Sequence, residues 1–298
     1  MNRYAVIDSA QRSHFHERLE RLGARYRSLF EGTAEAGLLD IAPLLVAWTD
    51  RDLHAQLDAE IRQMGAQRPG VTLLWSALEL DDLAKRLRAF HLVKVPEKGG
   101  REMLLRWYDT RILPALLDLL LPAQRAALLE GVQRLQYFDR YGDLQEWPLA
   151  EMLAGMDDAG LPALPPLRLD EDQYTCLLDA CEPDVAIAQL RRVIPDEIKR
   201  VPYRSLYPFV VDLMQDTIAH GVNQVDDHVQ YLLLALYTSG ACRGHPAVQA
   251  RFAQPAGSCE VPFADWASAL PEDIWTTGVP LWDHTVSPLQ AEPAPSWT

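Results

Sequence analysis

Three short apolar runs rich in β-branched and aromatic residues constrain the first half of the chain more than any other feature. They are Tyr4-Ala5-Val6-Ile7, Ala42-Pro43-Leu44-Leu45-Val46-Ala47-Trp48 and Val71-Thr72-Leu73-Leu74-Trp75-Ser76. Each has the length of a buried strand, and each is followed by residues whose apolar positions recur at helical spacing, which predicts helices over about 11–22, 51–64 and 80–89. Thr49 or Asp50 can cap the second helix, and the glycine and proline of residues 65–70 are expected to end it. Strand alternating with helix predicts a layered α/β lobe with a mixed sheet.

Farther on, residues 90–95 and 101–108 flank Pro96-Glu97-Lys98-Gly99-Gly100, whose glycines suit the tight connection of a hairpin. Asp109 or Thr110 is then expected to cap a helix reaching about Leu121, and 133–141 is read as a last strand, with the lobe closing near Trp147. Residues 155–167 hold Gly155, Gly160, Pro162, Pro165 and Pro166 and read as a linker. Beyond it the apolar spacing is helical throughout, with Asp170 and Asp184 as candidate caps, Pro195 punctuating the run, and Pro202 and Pro208 bracketing the start of one helix. The expected organisation is an α/β adaptor domain over 1–150, an all-α domain over 168–253 and an irregular Pro/Trp-rich tail over 254–298.

Charge separates the two halves. Of the formal net charge of −14, residues 1–150 contribute −1 (20 Lys and Arg against 21 Asp and Glu) and residues 151–298 contribute −13 (8 against 21). An acidic lobe repels a phosphate backbone, so nucleic-acid binding is not expected, and a basic protein surface is the natural complement. The opening residues lack the basic-then-apolar pattern of a secretory signal, and the apolar stretches near Ile112–Leu121 and Tyr231–Tyr237 are interrupted or too short to span a bilayer. A cytoplasmic protein without membrane contact is the expectation. Four cysteines, Cys176, Cys181, Cys242 and Cys259, without a C-x-x-C, read as free thiols.

The search for chemistry yields little. Nucleophile-elbow, phosphate-loop, dinucleotide and zinc-protease motifs are all missing, which disfavours the common signature enzymes. His14 and His16, two residues apart on a helix, should point about 200° from each other and so read as surface residues rather than zinc ligands. His220, Asp226, Asp227 and His228 form the sharpest cluster. Gly221 as a helix end and the two aspartates in the next first turn explain it without a metal. Glu31 and Asp109 can be imagined as an acid/base pair, but Asp109 is better read as a cap paired with Arg106 or Arg111. No cofactor or metal is expected.

Taken together, Tyr4-Ala5-Val6-Ile7-Asp8, Ser28-Leu29-Phe30-Glu31-Gly32-Thr33, Ile41-Ala42-Pro43-Leu44-Leu45-Val46, Leu87-Arg88 and Arg106-Trp107-Tyr108-Asp109-Thr110-Arg111-Ile112-Leu113 carry a resemblance. In this order and spacing they resemble the bacterial type VI secretion adaptors or effector chaperones first catalogued as domain of unknown function 4123, over about residues 4–140. The resemblance implies a non-catalytic cytoplasmic adaptor that holds a toxic effector and helps load it onto the VgrG spike. Two positions depart from the family pattern: Thr110 stands where proline often follows the aspartate, and Arg86 where histidine often precedes the Leu-Arg pair. Arg106, Asp109 and Arg111 are expected to hold the strand-to-helix junction. Trp266, Trp275 and Trp282, interspersed with Asp265, Glu272, Asp273 and Asp283, are the candidate partner surface, with packing on the helical lobe as the competing reading. The alternatives to an adaptor are an enzyme of unrecognised type and a structural subunit of an assembly.

Overall fold

The computed structural model describes residues 1–48, 51–97, 100–149, 166–222, 224–255 and 261–283. Outside them lie the Thr49 and Asp50 cap, Lys98 and Gly99 of the hairpin connection, most of the 155–167 linker, Cys259 and the tail beyond Asp283. The chain divides into two compact units, Met1–Ala180 and Cys181–Thr298.

In the first unit the three apolar runs are strands. β1 (Asn2–Asp8) lies between β3 (Pro43–Trp48) and β4 (Val71–Ser76), pairing antiparallel with both. β2 (Tyr26–Ser28) extends the sheet beyond β3, and β7 (Val132–Phe138) and β8 (Leu144–Trp147) extend it beyond β4, giving the order β2-β3-β1-β4-β7-β8. All of these pairings are antiparallel. A second sheet is mixed: β5 (Leu92–Lys94) pairs antiparallel with β6 (Glu102–Leu104) and parallel with β9 (Leu167–Arg168). The predicted hairpin is β5-β6, shorter than the runs that mark it.

Period-two alternation sends successive side chains to opposite faces. Tyr4 and Val6 on β1 join Leu45, Leu74 and Leu135 under α3 (Leu80–Arg88), α4 (Leu113–Leu119) and α5 (Pro122–Leu128). Ala5 and Ile7 face the other way, against Phe15 and Leu19 of α1 (Phe15–Arg21) and Leu57, Ile61 and Met64 of α2 (Arg51–Gln67). Helices thus cover both faces, which is why these strands are apolar on both sides.

Several boundaries fall elsewhere than expected. α2 runs through Gly65 instead of stopping there. A Cβ at Gly65 would lie 2.2 Å from Phe138, so this glycine lets the helix lie directly on β7. The strand read over 133–141 is a hairpin arm, and its turn is set by Gly142 (φ +83°), where a Cβ would meet the Ala66 carbonyl oxygen at 2.2 Å. Asp109 does not cap the α-helix directly. Its carboxylate accepts from the Arg111 amide in a tight turn ahead of α4, and Ile112 occupies the cap position.

Residues 167–180 group with the first unit, not with the helices that follow. Leu167 pairs with Val93, and Leu167 and Leu169 are buried in the core under α3 and α4. α6 (Glu171–Val193) opens with the predicted Asp170 cap, completed by Gln173 in a reciprocal pair of hydrogen bonds (2.8 and 3.1 Å). It contains Pro183, so Asp184 is mid-helix and not a cap; its carboxylate accepts from the Tyr203 hydroxyl at 2.8 Å.

The second unit is helical: the end of α6, α7 (Pro195–Arg200), α8 (Tyr203–Ala219), α9 (Val225–Thr238), α10 (Pro246–Phe252) and α11 (Phe263–Ser268), with single turns at Ala241–Gly244, Glu272–Thr276 and Leu281–Asp283. The start of α8 at Tyr203 falls between the two prolines as expected, Pro202 as its cap and Pro208 inside the helix. Gly221 (φ +77°) ends α8 as expected: its amide donates to Ile218 and the next amide, Val222, to Thr217. The unit's core gathers Ile187, Leu190, Leu206, Val210, Leu213, Tyr231, Leu232 and Leu236. The described part of the tail holds only a six-residue helix and two short turns between irregular segments, yet Phe263 and Ile274 are buried in this core.

Candidate functional site

The motif residues of the first unit meet at the carboxyl end of β1. Asp8 closes that strand fully buried on the face of Tyr4 and Val6, and its carboxylate accepts from Arg106 at 2.7 Å and from the Ala10 amide at 3.1 Å. Asp109, 4% exposed, takes a two-pronged grip from Arg111 (Nε 2.9 Å, Nη2 2.6 Å) and lies 3.9 Å from Arg106. The sequence reading of Arg106, Asp109 and Arg111 as one group therefore describes a real cluster, and Asp8 is its missing fourth member. Two buried carboxylates face two half-exposed guanidiniums, which balances the charge where water is excluded.

Trp107 and Tyr108, between the charged residues, are buried edge to face, 5.9 Å apart. Burial, reinforced by the nearby Asp8 carboxylate, pushes the Tyr108 phenol well above its ordinary range, while Arg106 pulls the other way. The Tyr108 hydroxyl therefore stays protonated at any physiological pH. With each carboxylate held by an arginine, the cluster is suited to fixing the 106–112 turn against β1 and poorly suited to acid/base work.

A second brace joins two other motif segments. Arg88, on α3, donates to the Ser28 carbonyl at 3.2 Å and to Glu31 at 2.7 Å. Of the imagined Glu31–Asp109 acid/base pair, Glu31 is thus engaged by α3 and Asp109 by Arg111.

The histidines divide differently from expectation. His14 lies outside α1 as its cap, in the left-handed region at φ 60°, so helical rotation does not separate it from His16. Both imidazoles approach Asp40, at 3.1 and 3.6 Å. Their ring centroids are 6.4 Å apart. In the second unit His220 bonds to the Asp216 carbonyl and stacks on Phe252, whereas His228 turns inward to Thr217. Asp226 and Asp227 occupy the first turn of α9 as read. Among the described residues no group of His, Cys, Asp and Glu is placed to hold a metal ion, and no helix is long and apolar enough to cross a membrane. Cys176 and Cys242 are free thiols.

The three tryptophans take unequal positions. Trp266 packs on Phe263, with the Arg251 guanidinium 5.6 Å from its ring centre. Trp282 meets Tyr237 edge-on at 4.8 Å, and Trp275 approaches the same ring at 5.8 Å while remaining 40% exposed. Nearby Val279 is also exposed. Two of the interspersed carboxylates are engaged within the unit: Asp283 accepts from Arg200 at 2.6 Å, and Asp273 lies 3.7 Å from His245.

Residues 3–127 match the family model described as Domain of unknown function (DUF4123). The match spans β1 through α5 and so contains the Asp8, Arg106, Asp109 and Arg111 cluster and the Arg88 brace; the helical unit lies outside it. No curated protein and no solved structure matches the chain.

Proposed function

We propose that this protein is a bacterial cytoplasmic adaptor, or chaperone, that binds a type VI secretion effector and helps load it onto the VgrG spike, acting by binding without turnover. The observation that carries the reading is the family match over residues 3–127, together with the arrangement of the motif residues inside it. The charged motif residues are spent on one another, Asp8 with Arg106, Asp109 with Arg111 and Glu31 with Arg88, which supports a scaffold holding a defined surface. On the helical unit, exposed Trp275 and Val279 beside acidic Glu272 and Asp273 offer an apolar anchor with a rim that complements a basic partner.

The test is co-purification of the full chain with the effector and the spike protein encoded beside it, followed by effector delivery in a strain lacking this gene. Stable binding to both proteins and loss of delivery are expected. Delivery that continues unimpaired, with neither protein retained, would remove the adaptor reading and return the enzyme alternative to first place.

A further inference from the structure

His228 projects from α9 into the helical unit, and its side chain is fully buried. Its Nδ1 is 2.6 Å from the Thr217 hydroxyl on α8, which is itself 2.8 Å from the Met214 carbonyl. A carbonyl only accepts, so the single hydroxyl proton belongs to the Met214 contact. The imidazole must then donate Nδ1–H to Thr217. That choice leaves Nε2 as a bare lone pair, buried and without a hydrogen-bond partner. The nearest charged oxygen is Glu182 Oε1 on α6, 3.6 Å away: an acceptor facing an acceptor.

The other charged groups close by are accounted for. Asp227 precedes His228 on α9 and favours a charged ring. Asp216 on α8 is held by Arg243 at 2.7 Å, and His220 on the same helix bonds to its own turn. Burial outweighs Asp227 and holds the imidazole below its ordinary value, so the ring is neutral near neutral pH.

We infer that His228 is an acid-sensitive pin of the helical unit: neutral, it ties α8 to α9 through Thr217, and the uptake of one proton at Nε2 places a charge among these helices and loosens them. The direction follows from linkage. A histidine whose folded value lies below its unfolded one leaves stability complete above about pH 6.5. That stability declines as pH falls from there toward the folded value, because only the opened chain takes the proton readily. Glu182 limits the loss, since an imidazolium at Nε2 would meet its carboxylate.

Hydrogen exchange on the full chain, corrected for the intrinsic pH dependence of amide exchange, tests this at pH 7.5 and 5.5. Opening of α8 and α9 should rise by up to about tenfold per pH unit below about 6.5, while the β1-β3-β4 amides of the first unit show no matching step. His228→Asn keeps a donor for Thr217 but cannot titrate, and should abolish the step. Glu182→Gln should leave the onset in place and extend the rise to lower pH. Should His228→Asn fail to fold, the imidazole of the unaltered protein is titrated by NMR, where a midpoint clearly below 6.5 is expected. A midpoint at or above 6.5, or a His228→Asn protein that keeps the full acid step, would overturn the inference.

Discussion

Asp8 and Asp109 in the first unit and His228 in the second are all buried polar side chains at the contact of separate elements, yet they satisfy their surroundings by opposite means. The carboxylates are each paired with a guanidinium, Asp8 with the distant Arg106 and Asp109 with Arg111 in its own turn, whereas the imidazole gives up its charge and retains one hydrogen bond. The first solution is rigid, because every member needs its partner. The second is conditional, since a single proton changes its sign. The first unit should therefore respond to loss of a partner, and the second to packing and to pH.

Asp8→Ala should test the first half of that contrast most severely. It removes the acceptor for Arg106 and for the Ala10 amide, and a loss of about 3–5 kcal/mol is expected by chemical denaturation. Pairing it with Arg106→Met should recover a large part of the loss; strictly additive effects would show that the two residues do not act as a pair. Asp109→Ala leaves Arg111 without its carboxylate and is expected to cost about 3 kcal/mol, above the range of a simple exposed cap.

For the helical unit the matching test is apolar. Ile274→Ala, at a fully buried position, should cost about 2–4 kcal/mol, and an unchanged melting temperature would mean that residues 261–283 merely lie on the unit instead of completing its core. Arg111→Lys keeps the charge but loses the two-pronged geometry, so a drop of about 1 kcal/mol is expected in the same denaturation assay. The smallest stability effect, within about 0.5 kcal/mol, is expected for Trp275→Ala. Its informative readout is partner affinity, where a loss without a stability change would separate interface from cladding.

How far the sequence reveals this arrangement depends on whether the signal is local. β1, β3, β4 and α3 are legible because each buries a complete apolar run or stripe within a few residues. β8 carries little local signal, because only Trp147 of its four residues is buried and Gln145 and Glu146 lie at the surface between Leu144 and Trp147, which breaks the alternation of a half-buried strand. β9 has two residues and owes its existence to Val93 and Lys94, more than 70 positions earlier. Gly65 carries the local mark of a helix end but answers to the Phe138 ring across the layer. Arg106, Asp109 and Arg111 could be grouped because they are neighbours in the chain. Asp8 could not, since nothing near it announces a partner 98 residues away. His14 misled for a related reason: a helical wheel assigns directions only to residues inside the helix.

The central place of β1 has a consequence for how the protein is made. β1 leaves the ribosome before β3 and β4, the strands that later occupy its two edges, so it waits for both. At about 5–20 residues per second, the stretch from Asp8 to Ser76 takes on the order of several seconds to emerge. Until β3 emerges the chain carries an apolar segment with two unpaired edges, and until β4 follows one edge stays open, a form exposed to pairing with a neighbouring nascent chain. Slowing synthesis between β1 and β4 would lengthen that exposure, and the yield of folded protein should depend on translation speed there more than anywhere in the helical unit.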